Sequence, residues 1–161
     1  MFMRTNMKRK TFLSAMILIC AAGFVFASAK NPIFLNPSAK NGVIAIKKSK
    51  LTKDAAYVNY KAGDITVQLI AVTADDGTYR LSFNTCQSCN PSPKAYFVQK
   101  GRKLVCQNCG NEFTMNDVGK PSYGCNPAQI PFTQNDTELL VSTEVLEKVA
   151  PAFKRWQGPT K

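Results

Sequence analysis

Two Cys-x-x-Cys pairs set the tightest limit on how this chain folds. Cys86-Gln87-Ser88-Cys89 is followed, after 16 residues, by Cys106-Gln107-Asn108-Cys109, and Cys125 comes 15 residues later. Pairs separated by about 15–20 residues have the spacing of a four-thiolate metal site, in which each pair clips one side of a tetrahedron. The chain between them must therefore reverse. Residues 95–98 and 103–105 flank the sequence Gln99-Lys100-Gly101-Arg102, which reads as a hairpin that brings the clips together. Asn90 and Gly110 directly follow the second cysteine of each pair. Both residue types tolerate the positive φ that tightens such a knuckle, so a left-handed residue is expected at each position.

Three sulfur chemistries fit this pattern. Structural disulfides suit an oxidising compartment, but of the six cysteines one, Cys20, lies in the leader-like segment, and the five beyond it leave at least one thiol unpaired. A thioredoxin-like redox pair belongs at a helix N-terminus, whereas these pairs follow strand-like runs and end in turn residues. Metal is the third, with Cys86, Cys89, Cys106, Cys109 and Cys125 as candidate ligands. Zinc matches four thiolates well, and a single iron or an iron-sulfur cluster uses the same ligand set. If the two clips fill one tetrahedron, Cys125 is a spare thiol, either buried and inert or poised to exchange with a ligand. Its replacement of one of the four is equally open.

The absence of histidine narrows the rest. Without imidazole there is no Ser-His-Asp or Cys-His catalysis, no HExxH zinc hydrolase and no CxxCH haem attachment. A metal-binding or electron-transfer module is expected here rather than an enzyme.

Arg4, Lys8, Arg9 and Lys10 precede an uncharged run over residues 11–26 that ends in Ala27-Ser28-Ala29. This reads as a secretory signal over residues 1–29, too short in its apolar part for the ~20 residues of a membrane span. Lys8-Arg9 stands where a folded-export signal would carry paired arginines, so the chain is expected to leave unfolded and take its metal outside. Of the 21 Lys and Arg residues four lie in the leader, and against 10 acids the remainder keeps a net charge of about +7. That excess suits a solvated basic surface, with peripheral association to an anionic membrane or docking onto a membrane partner as its use. The lysines are scattered without interleaved aromatics, which argues against nucleic acid.

Beyond the leader, residues 30–42 are rich in Pro, Asn and Gly and read as a linker. Residues 43–46 form an apolar run of strand type, and Thr52 is an N-cap candidate for a brief helix over residues 53–56. Strands follow over 57–60 and 65–72, the second alternating Ile65, Val67 and Leu69 with Thr66 and Gln68 as in a half-buried strand. Asp75-Asp76-Gly77 is a hairpin turn, with Tyr79, Leu81 and Phe83 on one face of the return strand. The pair of acids there reads as turn chemistry rather than a calcium site. Near the end, residues 138–141 form a strand and Ser142 caps a helix whose apolar face is Val145, Leu146 and Val149, stopped by Pro151. The strand-then-helix order at both ends suggests that these terminal strands pair. The expected fold is α+β, mainly β: a small antiparallel sheet domain with a two-knuckle metal-binding ribbon and a short C-terminal helix.

The motifs Asp64-Ile65-Thr66-Val67, Asp76-Gly77, Cys86-Gln87-Ser88-Cys89, Val105-Cys106-Gln107-Asn108-Cys109-Gly110, Phe113, Val118-Gly119 and Gly124-Cys125-Asn126-Pro127, in this order, resemble the FtrD-like family. These are bacterial proteins described as membrane iron-sulfur containing, and the resemblance covers roughly residues 40–146. Tyr123-Gly124 stands where the family pattern has two glycines. Fuller members carry the domain after transmembrane helices and are linked to iron uptake. The resemblance thus implies an iron or iron-sulfur centre outside the cytoplasmic membrane, periplasmic or on its outer face. It also implies a separate chain as partner, a membrane iron-transport or electron-transfer protein. The expected layout is a signal peptide over 1–29, a linker over 30–42, a thiolate metal-binding domain over 43–156 and a tail over 157–161.

Overall fold

The computed structural model describes residues 31–161; the leader expected over residues 1–29 lies outside the described residues. The described residues run through eleven strands: β1 (Ile33–Leu35), β2 (Val43–Lys47), β3 (Ala56–Ala62), β4 (Ile65–Thr73), β5 (Tyr79–Cys86), β6 (Phe97–Lys100), β7 (Lys103–Cys106), β8 (Glu112–Thr114), β9 (Pro127–Gln129), β10 (Thr133–Gln134) and β11 (Glu138–Ser142). Helix α1 (Thr143–Val149) follows, continued by a 3-10 turn over Ala150–Phe153. The strands make three small sheets: β1-β3-β4-β5-β9, β10-β11-β2 and β6-β7-β8. All pairings are antiparallel except that of β1 with β3.

The long hairpin β3-β4-β5 is the centre, and its alternation builds two cores. Successive side chains of a strand point to opposite faces. One face, with Val58, Val67, Leu69, Leu81 and Phe83, packs with Ile44 and Ile46 of β2, Leu139 and Val141 of β11, Leu146 of α1 and Phe153. The other, with Tyr57, Ile70, Val72 and Cys86, packs with Phe97, Leu104, Cys106, Met115 and Val118. The first core holds because the expected pairing of terminal strands forms, with Val43 opposite Ser142 and Ile46 opposite Leu139. Ser142 then accepts a hydrogen bond from the Glu144 amide at 3.2 Å, starting α1 where the sequence placed it.

Covering on both faces corrects the half-buried reading of β4, in which Val67 through Val72 are all buried. The polar side chains of the second face are buried by pairing with one another. Gln68 Nε2 donates to Asn59 Oδ1 (2.7 Å), and Asn84 Nδ2 donates to Gln68 Oε1 (2.6 Å). Asn84 Oδ1 accepts from the Phe97 amide (2.7 Å), fixing β6 on the sheet. The ladder is closed by the end of the chain: Gln68 donates to the Pro159 carbonyl and Asn59 to that of Thr160. Residues 157–161, read as a tail, are thus tied to the sheet. The segment read as a linker likewise contributes β1, and Asn36 accepts a bond from Asn59.

The brief helix expected over residues 53–56 does not form. Thr52 Oγ1 accepts the Asp54 amide in a local turn, while the Thr52 carbonyl accepts from Thr73, and Ala56 is already in the sheet. A 3-10 turn over Lys48–Lys50 is found instead. At the β4-β5 turn Gly77 takes φ +78, and Asp76 binds the Thr78 amide and hydroxyl, which hold its carboxyl down to about 2. Asp75 meets Lys53, Arg102 and Asn116. Both acids are therefore engaged as turn and ion-pair groups.

The buried ladder gives a direct expectation. Gln68→Met keeps the volume of the side chain but strands Asn59 Oδ1, the Pro159 carbonyl and one bond of Asn84. Urea unfolding should register a loss of about 1–3 kcal/mol for each buried group left unpaired.

Candidate metal centre

Five cysteines arrive at one end of the second core from three directions. β5 delivers Cys86 at its last residue, and β7 delivers Cys106 at its last residue. Each strand then turns through a knuckle of the same design. The Asn90 amide returns to the Cys86 carbonyl at 3.0 Å, and the Gly110 amide to the Cys106 carbonyl at 2.9 Å. The hairpin between them, β6-β7, turns tightly at Lys100↔Lys103 with Gly101 at φ +59.

The two knuckles reach the same hydrogen bond differently. Gly110 takes the expected left-handed conformation, φ +78. Asn90 does not, because the following Pro91 restricts its backbone. Its side chain instead donates to Thr85 Oγ1 (3.0 Å) and to the Ala152 carbonyl (2.8 Å), tying the first knuckle to the C-terminal turn. Gln157 donates to the Pro93 carbonyl, and Trp156 Nε1 to that of Asn84. The knuckles are joined by Ser92 Oγ donating to Asn108 Oδ1 at 2.6 Å.

Cys125 comes from the third direction, on the long loop into β9. Gly119 anchors its start: φ is +71, and a Cβ there would lie 2.5 Å from the Leu81 carbonyl oxygen, so the loop passes too close to β5 for any side chain. At the other end the Gln87 amide donates to the Asn126 carbonyl at 2.9 Å. The loop is thus stitched to the first knuckle.

The sulfurs of Cys86, Cys89, Cys106 and Cys125 all lie within 4.8 Å of one another. Cys86 and Cys125 are 3.0 Å apart, and Cys89 and Cys106 are 4.0 Å apart. Cys109 joins at the edge, 2.9 Å from Cys125. No disulfide links any of the five. Thiolates held at ~2.3 Å around one tetrahedral ion stand ~3.8 Å apart, so the observed range fits a single thiophilic ion. The structure therefore brings together every cysteine that the sequence singled out. The mutually close four include Cys125, with Cys109 beside them, where the spacing alone favoured the two clips.

Burial divides the thiols chemically. Cys86 and Cys106 are 0% and 1% exposed, Cys89 and Cys125 are half-buried, and Cys109 is exposed. Burial pushes the thiols of Cys89, Cys106 and Cys125 up, reinforced at Cys125 by its contacts with Cys109 and Cys86. Cys109 moves the other way, to about 7, chiefly through its hydrogen bond with Cys125 and then the Asn111 amide. Crowded, protonated thiols are what a cation-binding site looks like without its compensating charge, since a thiolate ligand sheds its proton to the metal.

Sequence reasoning missed the residues that brace the site. Trp156 and Ala152 are 70 and 66 residues beyond Cys86, at no spacing that points to a knuckle. Ser92 and Asn108 look like ordinary loop residues until the bond between them is seen.

A family model described as "Membrane iron-sulfur containing protein FtrD-like" matches residues 52–153, a span that includes all five of these cysteines. No curated protein and no solved structure matches the chain.

In metal-free, reduced protein, iodoacetamide should modify Cys109 first. Its thiolate is depleted below pH 7 and formed above, so the rate should rise through pH 7 while Cys89, Cys106 and Cys125, whose thiols are pushed up, stay slow there. Peptide mapping after brief alkylation checks this; equal labelling of all five contradicts it.

Proposed function

The chain belongs to the FtrD-like family of membrane iron-sulfur containing proteins, and from that membership we propose an exported thiolate-iron protein that supports iron uptake by carrying an electron or a metal ion. The observation that carries the reading is the set of four sulfurs within 4.8 Å of one another. Sulfur ligands select zinc, iron or copper(I) over hard cations, and the family's iron-sulfur description favours iron among them. Iron held by thiolates supplies a one-electron couple whose potential is tuned by hydrogen bonds to sulfur and by solvent exposure.

Cys86, Cys89, Cys106 and Cys125 would hold the ion, and each is positioned before it arrives. The two buried sulfurs sit at strand ends, so their directions are fixed by the sheets. The knuckle bonds at Cys86 and Cys106 fix the turns that present Cys89 and Cys109. The second core under the site, with Phe97, Met115 and Val118, keeps water from its inner side. Cys109, the exposed one, faces outward, toward whatever partner the chain serves.

Export is supported by the leader-like residues 1–29, which place this reading outside the cytoplasmic membrane. Among the described residues no helix is long and apolar enough to cross a membrane. The partner in this reading is a separate membrane iron-transport or electron-transfer protein, and the basic excess of the chain suits docking on an anionic bilayer or an acidic surface.

A four-thiolate zinc site that merely holds the fold would use the same sulfurs, and colour separates the two. Protein purified anaerobically should contain iron and absorb visible light through sulfur-to-iron charge transfer. A colourless sample with one zinc per chain overturns the iron reading, and a metal-free sample with bridged thiols overturns both. Cys86→Ser or Cys106→Ser should lose the metal and lower stability severely, since structural thiolate sites supply on the order of 10 kcal/mol of apparent folding energy. Elemental analysis and thermal unfolding of the two variants measure it.

A further inference from the structure

The cluster holds five sulfurs where a tetrahedral ion uses four, and the fifth is not placed at random. Cys109 is the exposed member, its sulfur 2.9 Å from Cys125 and outside the mutually close four. The rest of the site is braced on the opposite side. The first knuckle is bound to Ala152 through Asn90 and to Gln157 through Pro93. Cys106 sits at the end of a paired strand, packed in the second core. The side carrying Cys109 is more open: Asn108, Gly110 and Asn111 are exposed, a Cβ on Gly110 would meet nothing within 4 Å, and Tyr123, two residues before Cys125, is 100% exposed.

Resting on the reading of the cluster as a thiolate-iron site, we propose that iron is its cargo and that Cys109 and Cys125 form the gate through which it passes. In the resting arrangement Cys86, Cys89, Cys106 and Cys125 hold the ion, and the Cys109 thiol donates its hydrogen to the Cys125 sulfur. Cys109 then takes Cys125's place. One metal-sulfur bond forms at Cys109 as one breaks at Cys125, and the proton moves from Cys109 to Cys125. The ion keeps four sulfurs, the total charge is unchanged and no electron moves. The ion has shifted toward the open side, where an incoming ligand displaces Cys109 in its turn. Loading runs the same exchange backward. A closed four-thiolate shell without the fifth sulfur would have to lose a ligand to water before release, a slower route.

The test uses the full exported chain, loaded anaerobically with ferrous iron and then challenged with excess EDTA while the charge-transfer band is followed. Cys109→Ser should keep one iron per chain and an unchanged melting temperature, yet release its iron about 10-fold or more slowly, a barrier about 1.4 kcal/mol higher. Cys125→Ser should also keep one iron, because Cys109 fills the vacancy, and the double variant should lose it. Loss of iron from Cys109→Ser on preparation overturns the gate by making Cys109 a fixed ligand. Release at the wild-type rate overturns it by making Cys109 a bystander. Loss of iron from Cys125→Ser alone overturns it by denying that Cys109 can substitute. A wild-type chain that takes up no iron sinks the proposed function itself, a result distinct from each of these.

Discussion

The structure depends on the contact between Asn84 and the backbone of Phe97. A buried amide side chain accepts from the Phe97 amide at 2.7 Å and donates to its carbonyl at 3.3 Å, mimicking a neighbouring strand. This is how a separate sheet, β6-β7-β8, is seated on the face of the central one without sharing its edge. Once β6 is fixed, the hairpin fixes β7, and β5 and β7 end side by side with Cys86 and Cys106 at their tips. The geometry of the sulfur cluster is thus inherited from an amide two residues before the first cysteine. Unpaired, that amide would cost what any buried polar group costs, so the ladder through Gln68 and Asn59 is as necessary as the contact it supports.

The cluster itself resists taking on charge unless something positive is held there. Four sulfurs within 4.8 Å cannot all ionise beside one another, and burial opposes their charge further. Two consequences meet at one place. The buried pair, Cys86 and Cys106, is directed by strands, while the half-buried Cys89 and Cys125 and the exposed Cys109 are carried on turns and loops. The strand-directed thiols lie on the side that faces the protein and the exposed one on the side that faces solvent. A site meant only to staple the fold would gain nothing from that gradient, whereas one that exchanges its contents requires it.

Much of this was legible in the sequence where the signal was local. The two knuckles, the β6-β7 hairpin and the Ser142 cap each depend on residues a few positions apart, and the strand-then-helix order at both ends suggested the pairing of β2 with β11. What was hidden depended on distant partners. Gln68 and Asn84 look like a wetted face in any short window; only the ribbon that covers them makes them interior. Residues 33–35 are too few to declare a strand, and their parallel partner begins at Ala56. Thr52 looks like a helix cap until Thr73 claims its carbonyl for the sheet. Asn90 offered the right residue type for a left-handed turn, but Pro91 ruled it out and a side-chain bond to Ala152 served instead. In the cluster, spacing identified all five cysteines but not their arrangement, because the position of Cys125 is set by the close passage of Gly119 over Leu81.

The single tryptophan has a use that follows from where it lies. Trp156 presses edge-on to Tyr96 at 5.8 Å and lies against Phe153 at 5.7 Å, with its indole nitrogen bound to the Asn84 carbonyl. Its fluorescence therefore originates at the seam where the C-terminal segment clasps the ribbon, not from an average over many chromophores. Any loosening of that seam, whether by denaturant or by changes in the sulfur cluster, reaches the indole first and shifts its emission toward the red. The molecule carries its own optical gauge, wired to the joint that holds its knuckles in place.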